Sequence, residues 1–222
     1  YQYDQIVSKE ALVLDLSGEI GTAAYAAPTI LSFQANVQGK ASHAGFNPEA
    51  GIHSIKAACE AIAALPQGHI DKETTANIGL LNGGEGINIV PSSCNIRGEI
   101  RSLNHEKALA TAQQYRDTFQ NSAEKYGATL DWTQQIDIQA YETSTEESII
   151  SRYVAACGLC DVEPKLIKTF GGSDNNVFSQ HGIKGLVIAN SMNNVHSCKE
   201  YANVYEMQKV VEVLRVLVME IE

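Results

Sequence analysis

Apolar and polar residues alternate over residues 29–39, with Leu31, Phe33, Ala35 and Val37 on one side, the two-residue period of a half-buried strand. The period then changes. Pro48 suits the first turn of a helix, Glu49 complements its N-terminal dipole, and Ile52, Ile55, Ala58, Cys59, Ile62 and Leu65 recur at helical spacing. Two strand-like runs follow: 75–81, with Ala76, Ile78 and Leu80 inward, and 87–103, with Ile89, Cys94, Ile96 and Ile100. The Gly-rich cluster at 82–86 between them predicts a hairpin turn. Residues 105–126 read as an amphipathic helix with Ala108, Leu109, Ala112, Tyr115, Phe119 and Ala123 inward, N-capped by Asn104 and ended by Gly127. Residues 128–140 carry a looser alternation of Leu130, Trp132, Ile136 and Ile138. The order β-α-β-β-α-β is that of a ferredoxin-like module, an antiparallel sheet with two helices on one face.

The flanks have a different character. Residues 11–14 are a short apolar strand ending in Asp15, followed by a turn-rich segment at 17–21. After residue 140 the pattern predicts a helix over 145–157, a strand over 165–170, a Gly-rich turn at 171–174, a short helix to His181 and a strand over 185–189. A polar loop over 190–200 then precedes a helix over 204–221, with Met207, Val210, Val211, Val213, Leu214 and Leu217 inward. Strands alternating with helices imply a parallel sheet covered on both faces. The fold class expected is therefore α/β with an inserted α+β module: residues 1–28 and 140–222 form one domain and 29–139 the insert.

Length and charge narrow the function. A chain of 222 residues that is 44% hydrophobic can bury a full core, and a net charge of −10 leaves no basic stripe for nucleic acid or an anionic membrane. No apolar run approaches the roughly 20 residues of a membrane span. Five scattered cysteines do not suggest a disulfide framework, and reduced thiols in a cytoplasmic protein are expected. Cys157 and Cys160 have redox-motif spacing but close a helical pattern instead of opening it, so packing is the expected role. The chain begins with Tyr1 and passes at once into an apolar strand, which suggests a piece of a longer polypeptide.

Several residues could carry chemistry. His43 lies between small residues at a strand-to-helix junction, a place where side chains are held on rigid support. Asp15 ends an apolar strand, where open α/β sheets place ligand-binding groups, or it caps a turn. His196 follows the strand over 185–189, which suits a metal ligand, or it is a surface histidine. Asn88 and Arg101 lie on one extended run, and an arginine there can grip a carboxylate in two places or sit as a solvated edge charge.

In order and spacing these pieces resemble one family: the co-catalytic two-zinc metallopeptidases that include peptidase T, carboxypeptidase G, acetylornithine deacetylase and aminoacylase. The residues that carry the resemblance are Gly39-Lys40-Ala41-Ser42-His43-Ala44-Gly45 with Pro48-Glu49 and Gly51; Asn88-Ile89-Val90-Pro91 with Arg101; Gly171-Gly172-Ser173-Asp174; and His196 with Glu200. Ile70-Asp71-Lys72-Glu73-Thr74-Thr75-Ala76-Asn77-Ile78-Gly79 is similar to the peptidase T-like branch.

The resemblance implies a zinc-binding catalytic domain, present in part, flanking a lid or dimerisation domain. It makes Asp15 and His196 zinc ligands in a subunit that holds two zinc ions when complete. It makes His43 a donor to the oxyanion in the partner subunit of a homodimer, Asn88 and Arg101 contacts to substrate, and Gly171, Gly172 and Ser173 the lining of the pocket. The family's His-x-Asp pair, bridging Asp and Glu-Glu pair precede the segment matched here, so this chain alone is expected to be inactive. The implied activity of the complete protein is zinc-dependent hydrolysis of short peptides, as by a tripeptide aminopeptidase. A carboxypeptidase or N-acyl amino acid deacylase is the same-family alternative, and a non-catalytic dimerisation module is the alternative of another class.

Overall fold

The structure, a computed structural model, describes residues 2–219. The chain divides into two compact units, one made of residues 1–28 and 139–222 and the other of 29–138. The first unit opens with strands β1 (Glu10–Leu16) and β2 (Thr22–Ala27). The second contains β3 (Thr29–Gln38), α1 (Ser54–Ala64), β4 (Thr74–Gly83), β5 (Ser93–Ser102), α2 (His105–Lys125) and β6 (Thr129–Ile138). The chain then completes the first unit with α3 (Ser148–Leu159), β7 (Lys165–Lys168), α4 (Asp174–Gln180), β8 (Lys184–Ala189) and α5 (Val204–Met219).

The inserted unit is ferredoxin-like. Its strands lie in the order β4-β5-β3-β6, all antiparallel, with β3 at the centre and paired along its length to both neighbours. Leu31, Phe33, Ala35 and Val37 of β3 point into a core closed by α1 and α2. The α1 face is made of small residues, Ala57, Ala58 and Ala61, which lets α2 approach closely enough for Ser122 Oγ to donate to the Ala57 carbonyl at 2.8 Å. Asn104 caps α2 as its position in the sequence suggests, accepting from the Lys107 N–H at 3.0 Å.

Four expectations change here. Pro48 opens a separate 3-10 turn, Pro48–Ala50, and α1 begins only at Ser54, where His53 Nδ1 accepts from the Lys56 N–H. Cys59 is exposed, because the buried stripe of α1 is narrower than the apolar pattern. Leu80 is exposed because the register of β4 shifts between Ile78 and Leu80, and one extra residue flips every later side chain to the other face. The single long run over 87–103 is broken into Ile89–Val90 and β5 by Pro91, which cannot donate to a ladder.

The first unit contains a mixed sheet in the order β1-β8-β2, with β7 also on β2. β1 and β8 are parallel, as are β2 and β7, but β8 and β2 are antiparallel. The expected all-parallel sheet is therefore corrected. The cause is β2, an Ala-rich strand of low strand propensity that the apolar pattern does not show. Helices α3 and α5 cover this sheet through Ile149, Ile150, Tyr153, Val210, Val213 and Leu217. Met207 and Val211 of α5 are exposed, as is Val154 of α3. The predicted end of the last helix at Ile221 lies outside the described residues. Cys157 and Cys160 are buried in this core, and burial pushes the Cys157 thiol up, consistent with packing.

Candidate functional site

Asp15 and His196 face one pocket of about 500 Å³ in the first unit. Gly171, Gly172, Ser173 and Glu200 line it with them. Three local features build it. Between Val13 and Leu16, β1 advances three residues while β8 advances two, from Val187 to Ala189. Such a bulge re-aims the side chains within it, and Asp15 is one of them. Beyond β8 the chain takes three non-glycine residues into the left-handed region, Ser191, Asn194 and His196, with φ of 74°, 52° and 63°. Asparagine tolerates that region better than most residues, and strain of this kind collects at functional loops. The Glu200 carboxylate fixes the loop by accepting from the His196 N–H at 3.0 Å.

The third feature is the turn after β7. The Gly171 N–H donates to Thr169 Oγ1 at 3.1 Å, and Ser173 caps α4, its N–H donating to Asn176 Oδ1 while its hydroxyl accepts from the Asn175 N–H. Because β7 runs antiparallel to β8, this turn reaches the pocket across the sheet and not from the end where β1 and β8 stop.

The donor chemistry suits zinc in kind, one carboxylate oxygen and one imidazole nitrogen. It does not suit zinc in number. Among the described residues no three His, Cys, Asp or Glu side chains converge in a way that could hold a metal ion. Two such donors alone are too few to close a metal centre.

His43 stands in the other unit. Gly39 begins its loop, and Lys40 and Ile52 pin the neck by exchanging both backbone hydrogen bonds at 3.0 and 2.9 Å. A side chain at Gly39 would press on the Ile52 carbonyl, so glycine is required there. His43 sits opposite Ile89 in a two-residue ladder. Its Nδ1 accepts from the N–H groups of Gly45 and Phe46 at 3.1 and 3.2 Å. A nitrogen that accepts carries no proton, so the ring hydrogen is on Nε2 and that atom is a donor.

Asn88 belongs to the same corner, its carbonyl accepting from the Ala44 N–H at 2.9 Å. Arg101 does not. It pairs with Ile30 near the start of β3, while Ser92 and Gly39 mark the other end of that ladder. The guanidinium of Arg101 takes Glu99 in two places, Nε to Oε1 at 2.7 Å and Nη2 to Oε2 at 3.1 Å. The eight residues expected from the sequence thus fall into three groups: the pocket set, the His43–Asn88 corner and Arg101. Phe46, which stacks on His43, was not among them, and the sequence offers only its adjacency as a signal.

The chain is therefore an α/β unit with a carboxylate and an imidazole facing one pocket, interrupted by a ferredoxin-like insert. Residues 25–127 match the peptidase dimerisation domain of the M20 family. Over 215 residues the chain is 32% identical to an uncharacterized protein, YqjE, of Bacillus subtilis, covering 97% of this chain and 58% of that one. Its structure is similar to aminopeptidase PepT from Bacillus cereus, with a TM-score of 0.93 and 32% identity over 98% of this chain and 58% of that one. It shares its fold with a tripeptidase from Staphylococcus aureus, with a TM-score of 0.94 at 23% identity over 99% of this chain and 60% of that one. Residues 25–127 are thus of the M20 peptidase dimerisation type, and the chain as a whole is similar to these relatives along its length. It spans about three fifths of the length of these relatives.

Proposed function

We propose that the full-length protein is a zinc-dependent peptidase that cleaves short peptides in the manner of a tripeptide aminopeptidase, and that it works as a homodimer through the inserted unit. The observation that carries this reading is the convergence of Asp15 and His196 on one pocket. In it, Asp15 and His196 are the zinc donors that this chain supplies. Gly171, Gly172 and Ser173 line the wall against which the substrate lies. His43 donates Nε2–H to the oxyanion that develops on substrate bound by the partner subunit, the work of a preorganised donor. The Nδ1 hydrogen bonds support a donor over a metal ligand, since coordination through Nε2 would need the proton on Nδ1. Asn88 contacts the same carbonyl, and Arg101, aligned by Glu99, grips a substrate carboxylate.

For this chain alone the absence of a third converging donor among the described residues favours inactivity. No described helix is long and apolar enough to cross a membrane. All five cysteines are free, which supports a cytoplasmic location.

The test is hydrolysis by the full-length protein of tripeptides with free and acetylated N-termini, and of N-acyl amino acids, before and after chelation and return of zinc. Cleavage of free tripeptides that is lost with metal and regained with zinc is expected. Preference for N-acyl amino acids would assign the protein to the deacylases of the family, and activity indifferent to chelation would overturn the metal assignment.

A further inference from the structure

The His43 imidazole is held from two sides by its own loop. On one edge Nδ1 receives the Gly45 and Phe46 amides. On one face lies the Phe46 ring, 4.2 Å away between centroids and 23° from parallel. Phe46 remains 87% exposed, so removal from water does not account for its place. Among the described contacts its ring lies against the histidine.

That contact is needed. The outer torsion of a histidine is broad and roughly two-fold, so an exposed ring can turn over. Turned over, His43 would present a carbon to the two amides and lose both hydrogen bonds, and with them the reason for the proton to stay on Nε2. A donor that flips or exchanges tautomers must be reordered each time it meets a developing charge, which reduces the benefit of preorganisation.

We propose that Phe46 is a positioning residue for His43. Its ring and its amide, together with the Gly45 amide, hold the imidazole in one rotamer with the proton on Nε2, presenting a single N–H outward. The catalytic consequence rests on the reading of His43 as a donor to substrate; the clamp itself does not.

Two measurements test it. In this chain labelled with 15N-histidine, at about pH 8 where an ordinary imidazole is neutral, the His43 signals are assigned by their absence in His43→Ala. Nδ1 should resonate as a bare ring nitrogen and Nε2 as an N–H nitrogen. Phe46→Ala should move both toward tautomer-averaged positions, and Phe46→Tyr should restore them. In the full-length protein Phe46→Ala should lower kcat about two- to tenfold, the kinetic equivalent of one aromatic contact, with KM and zinc content unchanged, and Phe46→Tyr should recover it. Averaged signals in the unsubstituted chain, or unchanged signals in Phe46→Ala, overturn the clamp. If His43→Ala lowers kcat but Phe46→Ala does not, the positioning role is overturned. If His43→Ala leaves kcat intact, the reading of His43 fails instead, and the nitrogen signals still decide the clamp.

Discussion

Leu16 stands directly opposite Ala189 across the parallel pair β1 and β8. Because the two strands run the same way, Asp15 and the loop that carries His196 leave the sheet at the same end. Residues from opposite ends of the sequence come to one pocket by strand register.

Removing either donor should therefore remove metal. In the full-length protein Asp15→Ala or His196→Ala should weaken zinc binding more than about a hundredfold, beyond the usual cost of losing a supporting residue of a metal site. Elemental analysis after gel filtration measures it. This chain alone should not retain two zinc ions through the same column. Full metal content in either variant would take that residue out of the ligand set.

His43 should behave differently. His43→Ala in the full-length protein should reduce kcat about 10²- to 10³-fold, as loss of one oxyanion donor does, and leave zinc content unchanged. Steady-state kinetics and metal analysis on the same preparation separate the two roles. Lost metal would place His43 among the ligands.

The inserted unit was largely legible in the sequence, because its elements obey local rules. Leu31, Phe33, Ala35 and Val37 alternate on a central strand with one buried face, and all four are buried. Legibility fails at Leu80, where a bulge changes the face, and at β2, where Ala23, Ala24, Ala26 and Ala27 are buried though alanine signals no strand. Asp15 and His196 could be singled out by position, but their meeting depends on a β1–β8 pairing that no local pattern encodes. The amide clamp on His43 was not legible at all, since it comes from the path of the backbone through Gly45 and Phe46.

The inserted unit should weaken in alkali. Burial pushes the Cys94 thiol up to about 11 from 9.0 and the Tyr115 phenol up to about 12 from 10.0. Tyr115 also donates to the Pro66 carbonyl. Both folded-state values are raised, so the folded unit keeps protons that the unfolded chain would release. The contribution is fully present below about pH 9 and is lost as pH rises through about 11 and 12, at most roughly 2 to 3 kcal/mol for each group. Trp132, the sole tryptophan, stacks on Phe33 in this core and reports its unfolding by fluorescence. A urea midpoint that stays level from about pH 8 to pH 11 would contradict the burial of Cys94.

Gly185 and Asn175 should prove energetically coupled. A Cβ on Gly185 would overlap Asn175 Oδ1 and stand 2.6 Å from its Cγ, while the Asn175 side chain is fully buried and neither amide atom meets a partner at hydrogen-bonding geometry. Gly185→Ala should therefore cost about 1 to 3 kcal/mol or more through overpacking. Asn175→Ala, which gives up only the approach of its amide to the Tyr141 hydroxyl, should cost about 1 to 2 kcal/mol. The double variant should be less damaged than the sum, because the shortened side chain makes room for the new methyl group. A coupling of about 1 kcal/mol or more in urea unfolding is expected. Additive costs would mean that the two residues do not press on each other, and the packing of α4 on β8 would have to be redrawn.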